Sequence, residues 1–260
     1  MKDAILSKLH ALVADQGIRL WYAFESGSRA WGFPSPDSDF DIRFLYTNPL
    51  EWYLRIEEGR DVLEVPMEGL LDMGGWELRK ALRLAKKSNP VLWEWFQSPI
   101  RYLEEDADFL PELRSVVDPF FSPVAAANHY LALCKGTMER ELSGPTVRIK
   151  KYFYMLRPIL AAQWIVERQS IPPMEFEPLL DGVRANHALI ESVRSLEEQK
   201  KVTDEKVGID RIPFVEKFLE ETYADLKSRA ARLNSGKGSA DIVEDFFYRR
   251  VLEGWTFAHH

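Results

Sequence analysis

The chain has 260 residues, 46% hydrophobic and 29% charged, a composition that excludes a disordered or fibrous protein and allows one large domain or two modest ones. A net charge of −7, from 34 basic and 41 acidic residues, argues against a surface dedicated to duplex nucleic acid, though it leaves room for a local basic patch. The single cysteine, Cys134, cannot form an internal disulfide and fits a reducing cytoplasm; no apolar run approaches the roughly 18 residues of a membrane span, and the N-terminus has no cleavable signal pattern.

Ile5, Leu6, Leu9, Leu12 and Val13 recur at helical spacing and stop at Gly17, a usual position just past a helix end. An apolar strand over 18–24 follows, then a Gly27-Ser28 turn and a Pro- and Ser-containing loop through 33–36. Phe40, Ile42, Phe44 and Tyr46 alternate as in a half-buried strand. Asn48-Pro49 starts a short helix, residues 61–65 read as a third strand and residues 70–73 as a short one. Leu78, Ala81, Leu82 and Ala85 mark a helix face, and Asn89-Pro90 opens another helix with Trp93 and Phe96 on its apolar side.

Beyond residue 105 the periodicity is helical. Helices start at Ser122-Pro123 and Thr146, and 184–200, 212–234 and 240–253 supply three more, the last set off by the linker-like stretch 235–239. Pro158 is expected to kink or break the helix that begins at Thr146. The sequence thus predicts an α+β fold: a mixed sheet with helices over 1–105, then a helical domain over 106–260. The closing His259-His260 pair reads as a tag remnant.

The densest chemical signal is Gly27-Ser28 followed by Asp39-Phe40-Asp41. Strand period places Asp39 and Asp41 on one face, about 7 Å apart, where two carboxylates repel unless a divalent cation lies between them. Carboxylates, water and nucleotide phosphates together suit Mg²⁺ or Mn²⁺. Gly27 lets backbone approach a phosphate, and Ser28 offers a hydroxyl and an amide. Nucleotidyl transfer needs in-line positioning and charge cancellation by metal ions that carboxylates share. A third carboxylate would complete such a site. Glu64, Asp72 and, less well placed, Asp61 are all available on strand-like runs, and local pattern does not separate Asp72 from Glu64.

Arg29 is placed to meet a phosphate or to form a structural ion pair, and Arg43 shares the aspartate face and would neutralise it. Lys150, Tyr154 and Arg157, at i, i+4 and i+7, form one helix face flanked by Arg148 and Lys151, suited to stacking a base and holding phosphate. His10, His129 and His187 are scattered, and no zinc spacing, Walker lysine motif or GxSxG elbow is present.

Gly27-Ser-Arg-Ala-Trp-Gly32 with Ser38-Asp-Phe-Asp-Ile-Arg43 resembles the nucleotidyltransferase superfamily that includes DNA polymerase β, and more narrowly the bacterial nucleotidyltransferases of the YcgL type linked to an RNA repair pathway. The likeness continues through 49–54, Gly75-Trp76, Lys80, Ser88-Asn-Pro90, Glu94, Ser98-Pro99 and 147–157, and so covers most of the chain. It implies a β-polymerase-like domain and Mg²⁺-dependent transfer of a nucleoside monophosphate from an NTP, ATP among them, to a hydroxyl with release of pyrophosphate. An RNA 3′ end is the implied acceptor. It favours Asp72 over Glu64, because related sequences carry an acidic residue just before the helix whose lysine matches Lys80, and it supports a substrate role for Lys150, Tyr154 and Arg157. AMP transfer onto a protein or small molecule, and an inactive binding module, are the alternatives. Intact Gly27, Ser28, Asp39 and Asp41 speak against the last.

Overall fold

The computed structural model describes residues 1–202 and 207–256, and the His259-His260 pair lies outside the described residues. Helix α1 (Lys2–Gln16) buries Ile5 and Leu9 and ends at Gly17, whose φ of 63° closes the last turn through an amide bond to the Val13 carbonyl. Strand β1 (Arg19–Ser26) is apolar on both faces because both are covered. The turn expected at Gly27-Ser28 is the start of a one-turn helix, α2 (Gly27–Trp31). Then come β2 (Phe40–Thr47), α3 (Leu50–Tyr53), β3 (Val62–Glu68), β4 (Leu71–Glu77), α4 (Leu78–Lys86), α5 (Pro90–Phe96) and β5 (Arg101–Glu104).

These strands form one mixed sheet in the order β3-β4-β2-β1-β5, in which only β2 and β4 run parallel. Phe40, Ile42, Phe44 and Tyr46 alternate as expected and pack with α1 on one face. On the other face Trp21, Tyr22, Phe24 and Leu45 lie under α4, α5 and α6 (Phe109–Val117).

After a 3₁₀ turn over Asp118–Phe120, the Ser122 hydroxyl caps α7 (Pro123–Glu141) by accepting from the Ala125 amide. The helix expected from Thr146 begins three residues later: Thr146–Arg148 is a short strand, β6, paired with β7 (Gly208–Asp210), and α8 covers Ile149–Arg168. Pro158 does not end α8. Proline inside a helix costs about 3 kcal/mol or more, but the residues on both sides of it are fully buried, and packing against the neighbouring helices holds the turn. The chain continues with α9 (Phe176–Leu179), a 3₁₀ turn over Leu180–Val183, α10 (His187–Val202) and α11 (Pro213–Ala230). α7 to α11 share one apolar core, into which Phe33 reaches from the loop after α2.

Helix α12 (Ala240–Thr256) does not join them. Its Val243 and Phe246 enter the core beneath the sheet beside Trp21 and Phe109. Packing therefore groups α6 and α12 with the sheet, and the helical unit is the segment between them. This differs from the expected division at residue 105, because apolar periodicity shows that a helix has a buried face but not which surface covers it.

Candidate active site

The last residues of β1 and the first of β2 stand opposite one another, Ser26 against Asp41. Gly27 follows at φ 67°, and a Cβ built there would overlap Asp41 Oδ2 and stand 2.8 Å from Asp41 Cγ. The missing side chain is the space in which the Asp41 carboxylate lies. Beneath it, Glu25 is fully buried: its Oε1 accepts the Asp41 amide at 2.7 Å, and its other oxygen accepts the Tyr102 hydroxyl. Burial pushes the Glu25 carboxyl up from its ordinary range, against those two bonds. Nothing in the local pattern marks Glu25 as part of the site, apart from a carboxylate closing an otherwise apolar strand.

The parallel pairing of β2 with β4 sets Asp72 directly opposite Asp41. The Arg43 guanidinium bridges them, with Nη2 donating to Asp72 Oδ2 at 2.7 Å and standing 3.5 Å from Asp41 Oδ1. Burial raises the Asp41 pKa; Arg43 opposes the shift, and Asp72 and Asp39 add to it. Asp39 is exposed at the mouth of β2, one residue before the strand begins. Glu64 faces the same side of the sheet but lies opposite Gly74, one pleat repeat beyond Asp72, and points outward to Arg60 at 2.7 Å. Asp61 is held by Lys80 at 3.1 Å. Of the candidates for a third carboxylate, the fold brings Asp72 to Asp41 and leaves Glu64 and Asp61 apart.

Ser28 and Arg29 are engaged by the loop before β2. The Ser28 hydroxyl donates to Ser38 Oγ at 3.1 Å, and Ser38 Oγ meets Ser35, whose own hydroxyl accepts from buried Lys200 of α10 at 3.2 Å. The Arg29 guanidinium donates to the Asp39 and Ser38 carbonyls at 3.0 and 2.7 Å and stacks on Phe40. Of the two roles open to Arg29, these bonds are those of a structural residue that fastens the entrance of the aspartate strand.

A cleft of about 450 Å³ opens between this end of the sheet and the helical unit, with Gly27 and Asp41 on one wall and Trp31, Tyr154, Arg157 and a stripe of α7 around it. Tyr154 is partly exposed and meets Trp31 edge-on, ring centroids 5.7 Å apart. Lys150 does not line the cleft. Arg157 does, but it is buried, with Nη1 on Glu94 at 2.9 Å and Nε and Nη2 on the Met174 carbonyl. Tyr130 also donates to Glu94. The face expected to bind substrate is thus divided: Tyr154 is open to the cleft, and Arg157 ties α8 to α5. The apolar run 155–162 around Arg157 is the sequence signal for that burial.

Breaking a buried pair leaves an uncompensated charge, at a cost of about 3–5 kcal/mol. Arg157→Met is therefore expected to lower the melting temperature sharply, and Arg157→Met with Glu94→Leu to recover part of the loss. A single variant as stable as the parent protein would show that Arg157 is not a structural residue.

The donor set suits a divalent cation. Two carboxylates sit at facing register positions with the Arg43 guanidinium between them, a place a cation already occupies, and a third stands at the strand mouth. Among the described residues, no three carboxylate, histidine or cysteine side chains stand close enough to enclose an ion unaided. An ion here would complete its shell with water or substrate phosphate, as Mg²⁺ does.

Comparison with known proteins agrees with the resemblance carried by the Gly-Ser and Asp-x-Asp residues. Residues 1–249 match the family described as RlaP, an RNA repair pathway DNA polymerase beta family. Over 237 residues, 91% of each chain, the protein is 44% identical to the Bacillus subtilis (strain 168) protein described as uncharacterized protein YcgL. A nucleotidyltransferase-like protein from Exiguobacterium sibiricum 255-15 aligns over 97% of this chain and 80% of its own, with 13% identity and a TM-score of 0.31. The chain belongs to the RNA repair pathway DNA polymerase β family.

Proposed function

We propose that the protein transfers a nucleoside monophosphate from an NTP to a hydroxyl acceptor in a reaction dependent on Mg²⁺ or Mn²⁺, with an RNA 3′ end as the acceptor and the cytoplasm as its place of action. The observation that carries this reading is the placement of Asp41 against Asp72, with Gly27 cleared to admit the Asp41 carboxylate. Asp39, Asp41 and Asp72 would hold the divalent ion, which supplies charge cancellation on the transferred phosphoryl group when bound.

The chain's own residues do the rest. Glu25 fixes the height of Asp41 through the Asp41 amide, and Trp31 and Tyr154 offer rings at the cleft wall against which a base can stack. The acceptor hydroxyl loses its proton to a carboxylate, and Asp72 Oδ2 is the oxygen suited to take it once Arg43 is drawn off. In the same step the acceptor oxygen bonds to the α-phosphorus, the bond to the α–β bridging oxygen breaks, and pyrophosphate leaves with the electron pair. The sheet unit supplies the chemistry and the helical unit the facing wall. No helix among the described residues is long and apolar enough to cross a membrane. The acidic balance favours an acceptor engaged at its end over one bound along a long backbone, because phosphate contacts carry most nucleic-acid affinity.

Incubation with each labelled NTP, Mg²⁺ or Mn²⁺, and RNA, DNA, protein and small-molecule acceptors tests the reading. Label on an RNA 3′ end supports it; label on protein or a small molecule replaces the acceptor; no label on any acceptor overturns it. The bound state is checked separately. An NTP with Mg²⁺ at 100 times its dissociation constant should stabilise the fold by about 2.7 kcal/mol, and each component alone by much less. An equal thermal shift without metal would mark a plain anion site instead.

A further inference from the structure

We infer that Arg140 grips the β- and γ-phosphates of the nucleotide, an inference that rests on the nucleotidyl-transfer reading above. The α7 wall of the cleft is a stripe of residues at helical spacing: His129, Leu133, Thr137 and Arg140. From first to last it runs about 16 Å at 1.5 Å per residue, the reach of an extended nucleoside triphosphate. Arg140, at the end of the stripe, lines the same cleft as Gly27 and Asp41.

The charges in the cleft single it out. Arg157 has its donors on Glu94 and the Met174 carbonyl. Burial lowers the pKa of His129, which favours its neutral ring. Arg43, which is not among the residues lining the cleft, is held by Asp72. The Arg140 guanidinium, in contrast, donates to a neutral partner, Thr137 Oγ1, at 3.3 Å. Nearby Glu141 is bound by Lys151 at 2.9 Å and Arg148 at 3.7 Å, so Arg140 interacts with it only at longer range. The guanidinium folds back along its own helix, with Nη1 3.3 Å from where a Cβ on Gly136 would stand.

A triphosphate brought to Asp39, Asp41 and Asp72 sets anion against anion, and a metal held by the carboxylates offsets only part of that charge. As the acceptor oxygen bonds to the α-phosphorus and the bond to the α–β bridging oxygen breaks, negative charge collects on the departing pyrophosphate. A planar guanidinium with donors in a fork fits two phosphate oxygens at once, which an ammonium does not.

The test compares dissociation constants, with Mg²⁺, of each of the four NTPs, the four NMPs and inorganic pyrophosphate for the parent protein, Arg140→Gln, Arg140→Lys and Lys135→Gln. Lys135 is a control on the same helix, outside the cleft and paired with Glu139. Arg140→Gln should weaken NTP and pyrophosphate binding about tenfold or more and NMP binding less than about twofold, since one charged hydrogen-bonding group is lost. Arg140→Lys should keep part of the affinity, and Lys135→Gln all of it. Equal losses for NTP and NMP, no loss, or a change confined to the KM for an RNA acceptor would each overturn the assignment. If the parent protein binds none of the four NTPs, the proposed function falls and this inference with it; if it binds them and Arg140→Gln binds them equally well, this inference alone falls. Thermal melts of each variant establish that it is folded, and Arg140→Lys keeps the question decidable should Arg140→Gln not be.

Discussion

Asp41→Asn and Asp72→Asn are each expected to reduce metal-dependent nucleotide transfer by about 10³-fold or more, several kcal/mol of lost charge stabilisation, while the protein stays folded. Asp39→Asn should act in the same direction. The fold survives because neutralising Asp41 relieves it. Burial, with Asp72 and Asp39 adding, raises the Asp41 pKa above 3.8 despite the attraction of Arg43. A carboxyl whose folded-state pKa lies above its unfolded value costs stability when ionised. That cost is absent below the unfolded value, grows as pH rises through the folded-state pKa, and is complete above it. The metal-free Asp41→Asn protein should therefore melt at or above the parent temperature at pH 8, and the gap should close as pH falls toward 3.8. Transfer assays beside melts at both ends of that range decide the matter: retention of a tenth of the parent rate, or unfolding of Asp41→Asn at pH 8, would remove these residues from the site.

Gly27→Ala should be nearly as damaging, for a steric reason. The new methyl would overlap Asp41 Oδ2 and stand 2.8 Å from Cγ, so the carboxylate must leave its place. A displacement of about 1 Å at a reacting centre costs on the order of 100-fold in rate. Gly17→Ala separates this from backbone strain: Gly17 has nearly the same φ, 63° against 67°, but nothing within 4 Å of a new Cβ. Each variant carries the left-handed penalty of about 1–2 kcal/mol, and only Gly27→Ala should lose activity as well. Equal transfer rates for the two would show that the cradle around Asp41 is not needed.

The legible parts of the chain are those where one periodicity acts alone. Phe40, Ile42, Phe44 and Tyr46 declare β2, and Gly17 and Ser122-Pro123 declare a helix end and a helix start, because these are local events with local chemistry. Strand β4 runs to Glu77, past the short stretch read from the sequence, which stops where Gly74 and Gly75 offer no strand propensity; a Cβ at Gly75 would overlap the Phe44 ring, so the glycine is there for its neighbour. Strand β5 is four residues on the sheet edge with polar ends, and β6 needs its partner β7, more than fifty residues away, to exist at all. The pairing of Asp41 with Asp72 depends on parallel register, which no single strand encodes. The aspartates themselves are legible, and their meeting is not. Arg140 escapes notice because a lone arginine near a helix end looks like any solvated cation until the opposite wall is in place.

The route of the chain between its two units carries one further consequence. The Lys237 amide donates to the Pro119 carbonyl at 2.9 Å, and the Val124 amide to the Asn234 carbonyl at 3.3 Å, so the polypeptide departs from the sheet and comes back to it at a single spot. In topological terms the helical unit is an insert, and the sheet with α6 and α12 is its host. The host's two open ends are one hydrogen bond apart, close enough for a tight turn to join them. Whatever the inserted helices recognise across the cleft can therefore be exchanged without redrawing the strand order that sets Asp41 against Asp72.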